Sequence, residues 1–272
     1  MAKGKGKGLK GALARHVAQE RMMKKQAAKV VPEKGKKTKP QRVQASQAPT
    51  CPWHQDDQVL LVGEGDFSFA LSVVKQGFVV PTNLVATSYD SYEDVVAKYA
   101  GAEATVAELI SSGVKVLHNI DATKLSQSLQ IKKKPLDVNV VVFNFPHTGK
   151  GIKDQARNIR DHQILVSEYF KSARELLTAA PESSGYFVKN WRIMLSLFDG
   201  EPYDSWQSKR LARDLGLQVD RSVKFGWSLY PGYHHRRTNS MRDTTKPAEE
   251  RSARTYVFVP REPKDDKNDQ KD

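Results

Sequence analysis

A chain of 272 residues with 39% hydrophobic content can bury one large core or two small ones, and it holds no run of about 18 apolar residues that would span a bilayer as a helix. The net charge of +13 sits almost wholly at one end: residues 1–48 carry fourteen Lys/Arg against Glu20 and Glu33, which leaves 30 basic and 29 acidic residues over 49–272. The single cysteine, Cys51, excludes an internal disulfide and fits a reducing compartment.

Residues 1–50 are rich in Lys, Gln, Ala and Pro and too poor in apolar residues to build a core, so they are expected to be disordered when free. A basic arm of this kind binds nucleic acid through phosphates or addresses a protein to the nucleus and nucleolus; a solvated, solubilising tail is the plainer reading. No apolar secretory segment follows the amino terminus. Cys51-Pro-Trp-His54 supplies two metal-ligand types with no second pair nearby, whereas a structural zinc site takes about four ligands, so no metal is expected. Residues 50–57 read as a linker, with Trp53 tucked against the domain edge.

From Gln58 onward strand and helix alternate. Residues 58–62 form the first strand, followed by the turn Gly63-Glu64-Gly65-Asp66-Phe67-Ser68 and a helix over 67–76. Strands are expected over 84–88, 114–118 and 137–143, the last being the most apolar and so the most central. Helices fall at 92–99, 102–111 and 155–179; the longest carries an apolar stripe from Ile159 through Leu165, Val166, Tyr169, Phe170, Ala173, Leu176 and Leu177. Lys189-Asn-Trp-Arg192 interrupts the next apolar run, leaving 193–198 as the strand proper. A helix over 204–215 closed by Gly216 and two β runs, 217–225 and 255–260, complete the pattern. The alternation predicts an α/β, Rossmann-like fold: a mostly parallel seven-stranded sheet with helices on both faces, ending in an antiparallel edge pair. The domain spans 56–260, ahead of a charged, unstructured tail at 261–272.

In such a sheet the carboxyl ends of the strands share one crevice. The first ends in the Gly63–Ser68 turn, where missing Cβ atoms admit a ligand; the second ends at Asp90, suited to ribose hydroxyls; the third ends at Asp121-Ala122, suited to an adenine amino group. A tight turn and two helix caps would explain the same residues without a ligand. Glu64 and Asp66 beside Gly65 disfavour a dinucleotide's pyrophosphate and favour a cationic sulfonium, so S-adenosylmethionine is preferred to NAD. The fourth strand ends in Asn144-Phe145-Pro146-His147, a turn able to hold a planar base, with Asn144 orienting its edge and His147 accepting a proton. Tyr230-Pro-Gly-Tyr233-His234-His235-Arg236-Arg237 interleaves aromatics with bases, as stacking and phosphate contact require.

Five separated segments together resemble a known family: Leu60-Leu-Val-Gly-Glu-Gly-Asp-Phe-Ser-Phe69, Asp121-Ala-Thr123, Phe143-Asn-Phe-Pro-His147, Gly200-Glu-Pro-Tyr203 with Trp206, and Tyr230 through Thr238. They are similar to the fungal 25S ribosomal RNA uridine-N3 methyltransferases, over residues 56–260. Animal relatives share the motifs and add a ferredoxin-fold anticodon-binding domain, which a chain of this length is not expected to carry. The resemblance implies a class I methyltransferase fold, S-adenosylmethionine as donor, a uridine of large-subunit rRNA as target, and a nucleolar setting; a monomer is expected. By the same resemblance Gly63, Glu64, Gly65, Asp66, Phe67, Ser68, Asp90, Asp121, Ala122 and Asn144 hold the cofactor. Asn144 and His147 line the methyl-transfer site, and Phe145, Pro146, His147, Tyr230, Tyr233, His235 and Arg237 contact RNA. Relatives often have a small residue where Arg236 stands, so Arg237 is preferred as the phosphate contact. Methylation of an exocyclic amine of adenine or cytosine, and a non-catalytic RNA-binding role, are the competing readings.

Overall fold

The computed structural model describes residues 49–133, 136–179, 190–236, 248 and 251–261. The basic arm (1–48), Lys189 and the tail beyond Arg261 lie outside them. Seven strands form one sheet in the order β3-β2-β1-β4-β5-β7-β6. These are β1 (Val59–Val62), β2 (Leu84–Thr87), β3 (Lys115–Leu117), β4 (Val140–Asn144), β5 (Arg192–Phe198), β6 (Leu217–Lys224) and β7 (Ala253–Pro260). The helices are α1 (Ser68–Lys75), α2 (Tyr92–Lys98), α3 (Ala102–Ser111), α4 (Leu125–Ser128), α5 (Gln155–Thr178) and α6 (Ser208–Asp214). No helix among the described residues is long and apolar enough to cross a membrane.

The central strands are buried on both faces because β1 and residues 140–143 of β4 are apolar throughout, and their period of two divides the core. Val59, Leu61, Val140 and Val142 point to the side covered by α1 and α3, while Leu60, Val62, Val141 and Phe143 point to the side covered by α5. On α5 the predicted stripe is buried from Val166 to Leu177, and the Tyr169 hydroxyl reaches the carbonyls of Val141 (3.2 Å) and Met194 (3.0 Å). Trp53 is buried as expected, its indole N–H donating to Phe78 O at 3.1 Å.

The antiparallel edge pair expected at the carboxyl end is present: β7 and β6 form it, with β7 lying between β5 and β6 and antiparallel to both. The strand expected over 193–198 is observed as Arg192–Phe198. Arg192 opens the strand, and its guanidinium meets Asp57 at 2.6 Å in a nearly buried pair; Asn139 also donates to Asp57 (2.8 Å), so one carboxylate ties together the amino ends of β1, β4 and β5. Finally, the helix expected over 204–215 is two pieces. Gln207 adopts a left-handed conformation (φ 52°) between a 3-10 turn at Asp204–Trp206 and α6, which ends the first before the second begins.

Candidate active site

The parallel strands end around one cavity of about 500 Å³. The carboxyl ends of β1, β2 and β4 and the segments following β3 and β4 supply its walls, and the 233–236 loop covers it.

The glycine turn after β1 is shaped by two different needs. Gly63 has φ 72°, and a Cβ there would lie 2.5 Å from Phe143 Cε2; Gly65 has no such backbone demand, and a Cβ there would sit 3.5 Å from the Tyr99 ring. Gly63 is therefore required by the fold, whereas Gly65 leaves space on the cavity side. Glu64 lines the cavity, with Oε2 accepting from Ala70 N at 3.1 Å. Burial pushes its carboxyl up to about 8, the Asp66 charge adds to this, and the Ala70 hydrogen bond opposes it.

Asp66 is already engaged. Its Oδ1 accepts from the Ser68 amide (3.0 Å) and hydroxyl (2.6 Å), and its Oδ2 pairs with Arg236 Nε at 3.0 Å. The Ser68 hydroxyl in turn accepts from His234 N at 3.0 Å. Asp66 and Ser68 thus latch the distant 233–236 loop to the glycine turn. Ser68 does not line the cavity, nor does Phe67, whose fully buried ring lies edge-on to His118; its backbone is left-handed (φ 61°). These two residues shape the turn from outside the cavity lining.

Asp90 and Asp121 both line the cavity. Asp90 Oδ1 pairs with Lys98 at 2.8 Å, and Asp121 Oδ1 caps the following 3-10 turn by accepting from Thr123 N (2.8 Å) and Oγ1 (2.7 Å). Asp121 therefore is a cap and also stands at the cavity wall, beside Ala122.

At the end of β4, Asn144 Oδ1 accepts from the Ser196 hydroxyl at 2.7 Å, and Ser196 meets Thr255 Oγ1 at 2.8 Å. The oxygen is thereby tied to the sheet, and the amide's N–H groups make no hydrogen bond to the described residues. Phe145 is left-handed (φ 50°), which swings the chain off the strand end. Its ring lines the cavity yet stacks on Trp227 (5.5 Å, 10°), and Trp227 stacks on Tyr233 (5.7 Å, 9°). Pro146 is buried away from the cavity. His147 is exposed at its rim, with Nδ1 accepting from Gly149 N at 2.9 Å. In the neutral ring the proton is then on Nε2, so His147 presents a donor rather than an acceptor.

Tyr233 and His235 line the cavity, but Tyr230 does not. The Tyr230 ring is 4% exposed among Phe69, Phe78 and Phe225, where it anchors the loop to the core. Arg237 lies outside the described residues. The lining also includes residues with no motif around them: Tyr89, Lys98, Tyr99, Lys150, Asp161 and Ile164. Tyr89 precedes Asp90 at a strand end and was legible by position; Asp161 and Ile164 lie on α5, whose buried stripe drew attention to its other face.

Residues 60–237 match the family model described as rRNA (uridine-N3-)-methyltransferase BTM5-like. The chain belongs to this BMT5-like family. It is 40% identical to the Saccharomyces cerevisiae 25S rRNA (uridine(2634)-N(3))-methyltransferase over 93% of this chain and 90% of that one. It is also 35% identical to the Arabidopsis thaliana heavy metal-associated isoprenylated plant protein 41, over 70% of this chain but only 35% of that protein. Among solved structures, a protein of the NADB-Rossmann superfamily from Streptococcus agalactiae aligns with 77% of this chain and 64% of its own, at a TM-score of 0.43 and 10% identity, a likeness too distant to argue from. The motifs at Gly63–Ser68, Asp121–Thr123, Asn144–His147 and Tyr230–Arg236 all fall within the segment that matches the BMT5-like model.

Proposed function

We propose that this BMT5-like chain transfers a methyl group from S-adenosylmethionine to N3 of a uridine in large-subunit rRNA. One observation carries the reading: a single cavity joins an adenosine-suited wall (Gly63–Gly65, Asp90, Asp121, Ala122) to the base-suited turn at Asn144–His147. In this reading Asp90 accepts from the ribose hydroxyls, Asp121 and Ala122 face the adenine, and Glu64 faces the cationic end of the donor. The bound cofactor supplies an electrophilic methyl on sulfur, and the chain's task is to place a base nitrogen in line with it. N3 of uridine is hidden in a paired helix, so the base must be unpaired or flipped out to enter.

Asn144 Oδ1 accepts from Ser196 through one of its two lone pairs, and its N–H groups suit a uracil carbonyl. Methyl transfer from labelled S-adenosylmethionine to rRNA lacking the modification, followed by nucleoside analysis, tests the proposal; a product other than N3-methyluridine, or none, rejects it.

Cofactor affinity should depend on pH through Glu64. With its carboxyl raised to about 8, Glu64 is mostly protonated at neutral pH in the free protein. A cationic ligand favours the ionised form, so binding expels a proton. Affinity is therefore weaker below that value, strengthens as pH rises toward it, and levels off above it. Between pH 6 and pH 8 the dissociation constant should fall roughly tenfold or more. Glu64→Gln should lose this component, leaving only the titration of the ligand itself, as calorimetry at several pH values would show. Identical pH profiles for the two proteins would remove Glu64 from the cofactor site.

The amino-terminal arm, with its net of +12 over residues 1–48, is assigned to the RNA phosphates and to nucleolar address. Deleting 1–48 should weaken RNA binding and flatten its dependence on salt while leaving cofactor affinity unchanged. Unaltered RNA binding and address after truncation would make the arm a solubility tail.

A further inference from the structure

The first two turns of α5 extend past the core. No residue of this helix before His162 is buried, and Gln155, Ala156, Arg157 and Arg160 are exposed. The loop that leads into it is held down on its start. Thr148 N donates to His162 Nε2 (3.4 Å), Asn158 Nδ2 to Ile152 O (3.3 Å) and Lys150 Nζ to Asp161 Oδ1 (2.6 Å). Residues 147–164 therefore make one surface at the edge of the cavity, where Lys150 and the 58%-exposed Ile164 belong to the lining.

The charge of this surface is one-sided. It carries Lys150, Lys153, Arg157 and Arg160 against two acids, and both acids are engaged. Asp161 holds Lys150, and Asp154 caps α5 by accepting from Arg157 N at 2.7 Å. Lys153, Arg157 and Arg160 are exposed, and their side chains make no ion pair among the described residues. Over residues 49–272 bases and acids nearly balance, 30 against 29, so the excess is local. At 3.6 residues per turn Arg157, Arg160 and Ile164 share an arc of roughly 60°, on the side of α5 away from its buried stripe. Arg160 stands about 6 Å and Arg157 about 10 Å along the axis from Ile164. The cations thus lead outward from the cavity lip.

We propose that Lys153, Arg157 and Arg160 form a track for the phosphates of the rRNA strand that leads to the target base. The inference rests on the rRNA reading above. A base that enters the cavity is unpaired and drags its own backbone across the lip, so the polyanion nearest these cations is the substrate strand itself. Arginine suits phosphate because its planar guanidinium donates two parallel N–H bonds. Phosphate contacts carry no sequence information but set register. These three cations sit on a helix packed against the sheet, so they fix the strand relative to the cavity.

The test measures binding of the full-length protein to an unmodified rRNA fragment carrying the target uridine, at several salt concentrations. Replacing Lys153, Arg157 and Arg160 together with Gln should weaken binding roughly tenfold or more near physiological salt, and should lower the slope of log affinity against log salt by about 2, at ~0.7 per contact. Arg157→Lys with Arg160→Lys should keep the slope. Calorimetry should show cofactor binding unchanged, because none of the three lines the cavity. In steady state KM for RNA should rise with kcat near wild type. The same neutralisation at Lys124, Lys132 and Lys133, exposed cations outside the lining, should leave the slope nearly unchanged. A wild-type slope in the triple variant, or an equal fall in the control, overturns the inference and leaves the uridine-N3 reading standing. Should the triple variant fail to bind cofactor, Arg157→Gln and Arg160→Gln singly decide, and unchanged slopes in both reject the proposal. Wild-type protein that binds the fragment but forms no N3-methyluridine rejects the reaction alone, and the slopes still judge the track. Wild-type protein that does not bind the fragment rejects both.

Discussion

Replacing Asn144 with alanine is expected to lower the methyl-transfer rate by about 10²- to 10³-fold, or roughly 2.7–4 kcal/mol of transition-state stabilisation, with little change in cofactor affinity. The expectation rests on where its amide is held. Ser196 holds Oδ1 at 2.7 Å, and Thr255 holds Ser196 at 2.8 Å, so the amide is fixed at the cavity wall without any reorganisation when the base arrives. As uracil loses its proton, charge grows on its carbonyls, and a fixed donor gains strength at that moment. His147→Ala should cost less than about tenfold, since the ring is exposed and its Nδ1 already serves the local turn. Single-turnover rates of the two variants separate the roles. Equal losses, or a near-normal rate for Asn144→Ala, would place the base elsewhere.

The two glycines of the β1 turn should also behave differently. Gly63→Ala places a methyl 2.5 Å from Phe143 Cε2 on a backbone at φ 72°. Phe143 has little room to retreat, because it is 7% exposed with Tyr169 edge-on at 5.2 Å. Left-handed strain of about 1–2 kcal/mol and overpacking of about 1–3 kcal/mol together predict a loss of roughly 2–5 kcal/mol, with cofactor binding lost along with the turn. Gly65→Ala meets only an ordinary contact at 3.5 Å with Tyr99, so its stability should stay within about 1 kcal/mol of wild type while its cofactor affinity falls. Denaturant unfolding and calorimetry on both proteins check this. A stable Gly63→Ala that still binds cofactor would mean that the turn is not set by Phe143.

The latch between the 233–236 loop and the glycine turn explains why two residues expected to touch the cofactor do structural work. Asp66 and Ser68 lie 170 and 166 residues from Arg236 and His234, yet their side chains are consumed by those partners. The same contact makes Arg236, rather than a residue kept for RNA alone, part of the cavity wall. Its pairing with Asp66 neutralises one of the two cavity-lining acids beside Gly65, leaving Glu64 as the other.

Much of this arrangement was legible before any coordinates. The all-apolar runs at 59–62 and 140–143 can only be strands covered on both faces, and the alternation with amphipathic helices leaves a mostly parallel sheet whose strand ends share a crevice. That rule alone brought Gly63, Asp90, Asp121 and Asn144 to one cavity. It depends on local periodicity and chain direction, both written in short stretches of sequence.

What the sequence did not determine is where each side chain points once distant segments pack. β7 enters between β5 and β6 because its partners are chosen by pairing across long separations, which no local pattern encodes. Tyr230 reads like a stacking residue in its motif, and it is core because three phenylalanines from elsewhere enclose it. Asp161 reads as a polar position on an amphipathic helix. Only the way α5 lies against the sheet brings it to the cavity wall, beside a lysine eleven residues earlier. Sequence determined the strands, the crevice and the charge of the arm. Tertiary packing decided which residues of each motif face the ligand, because that depends on helix orientation and on contacts made across the whole chain.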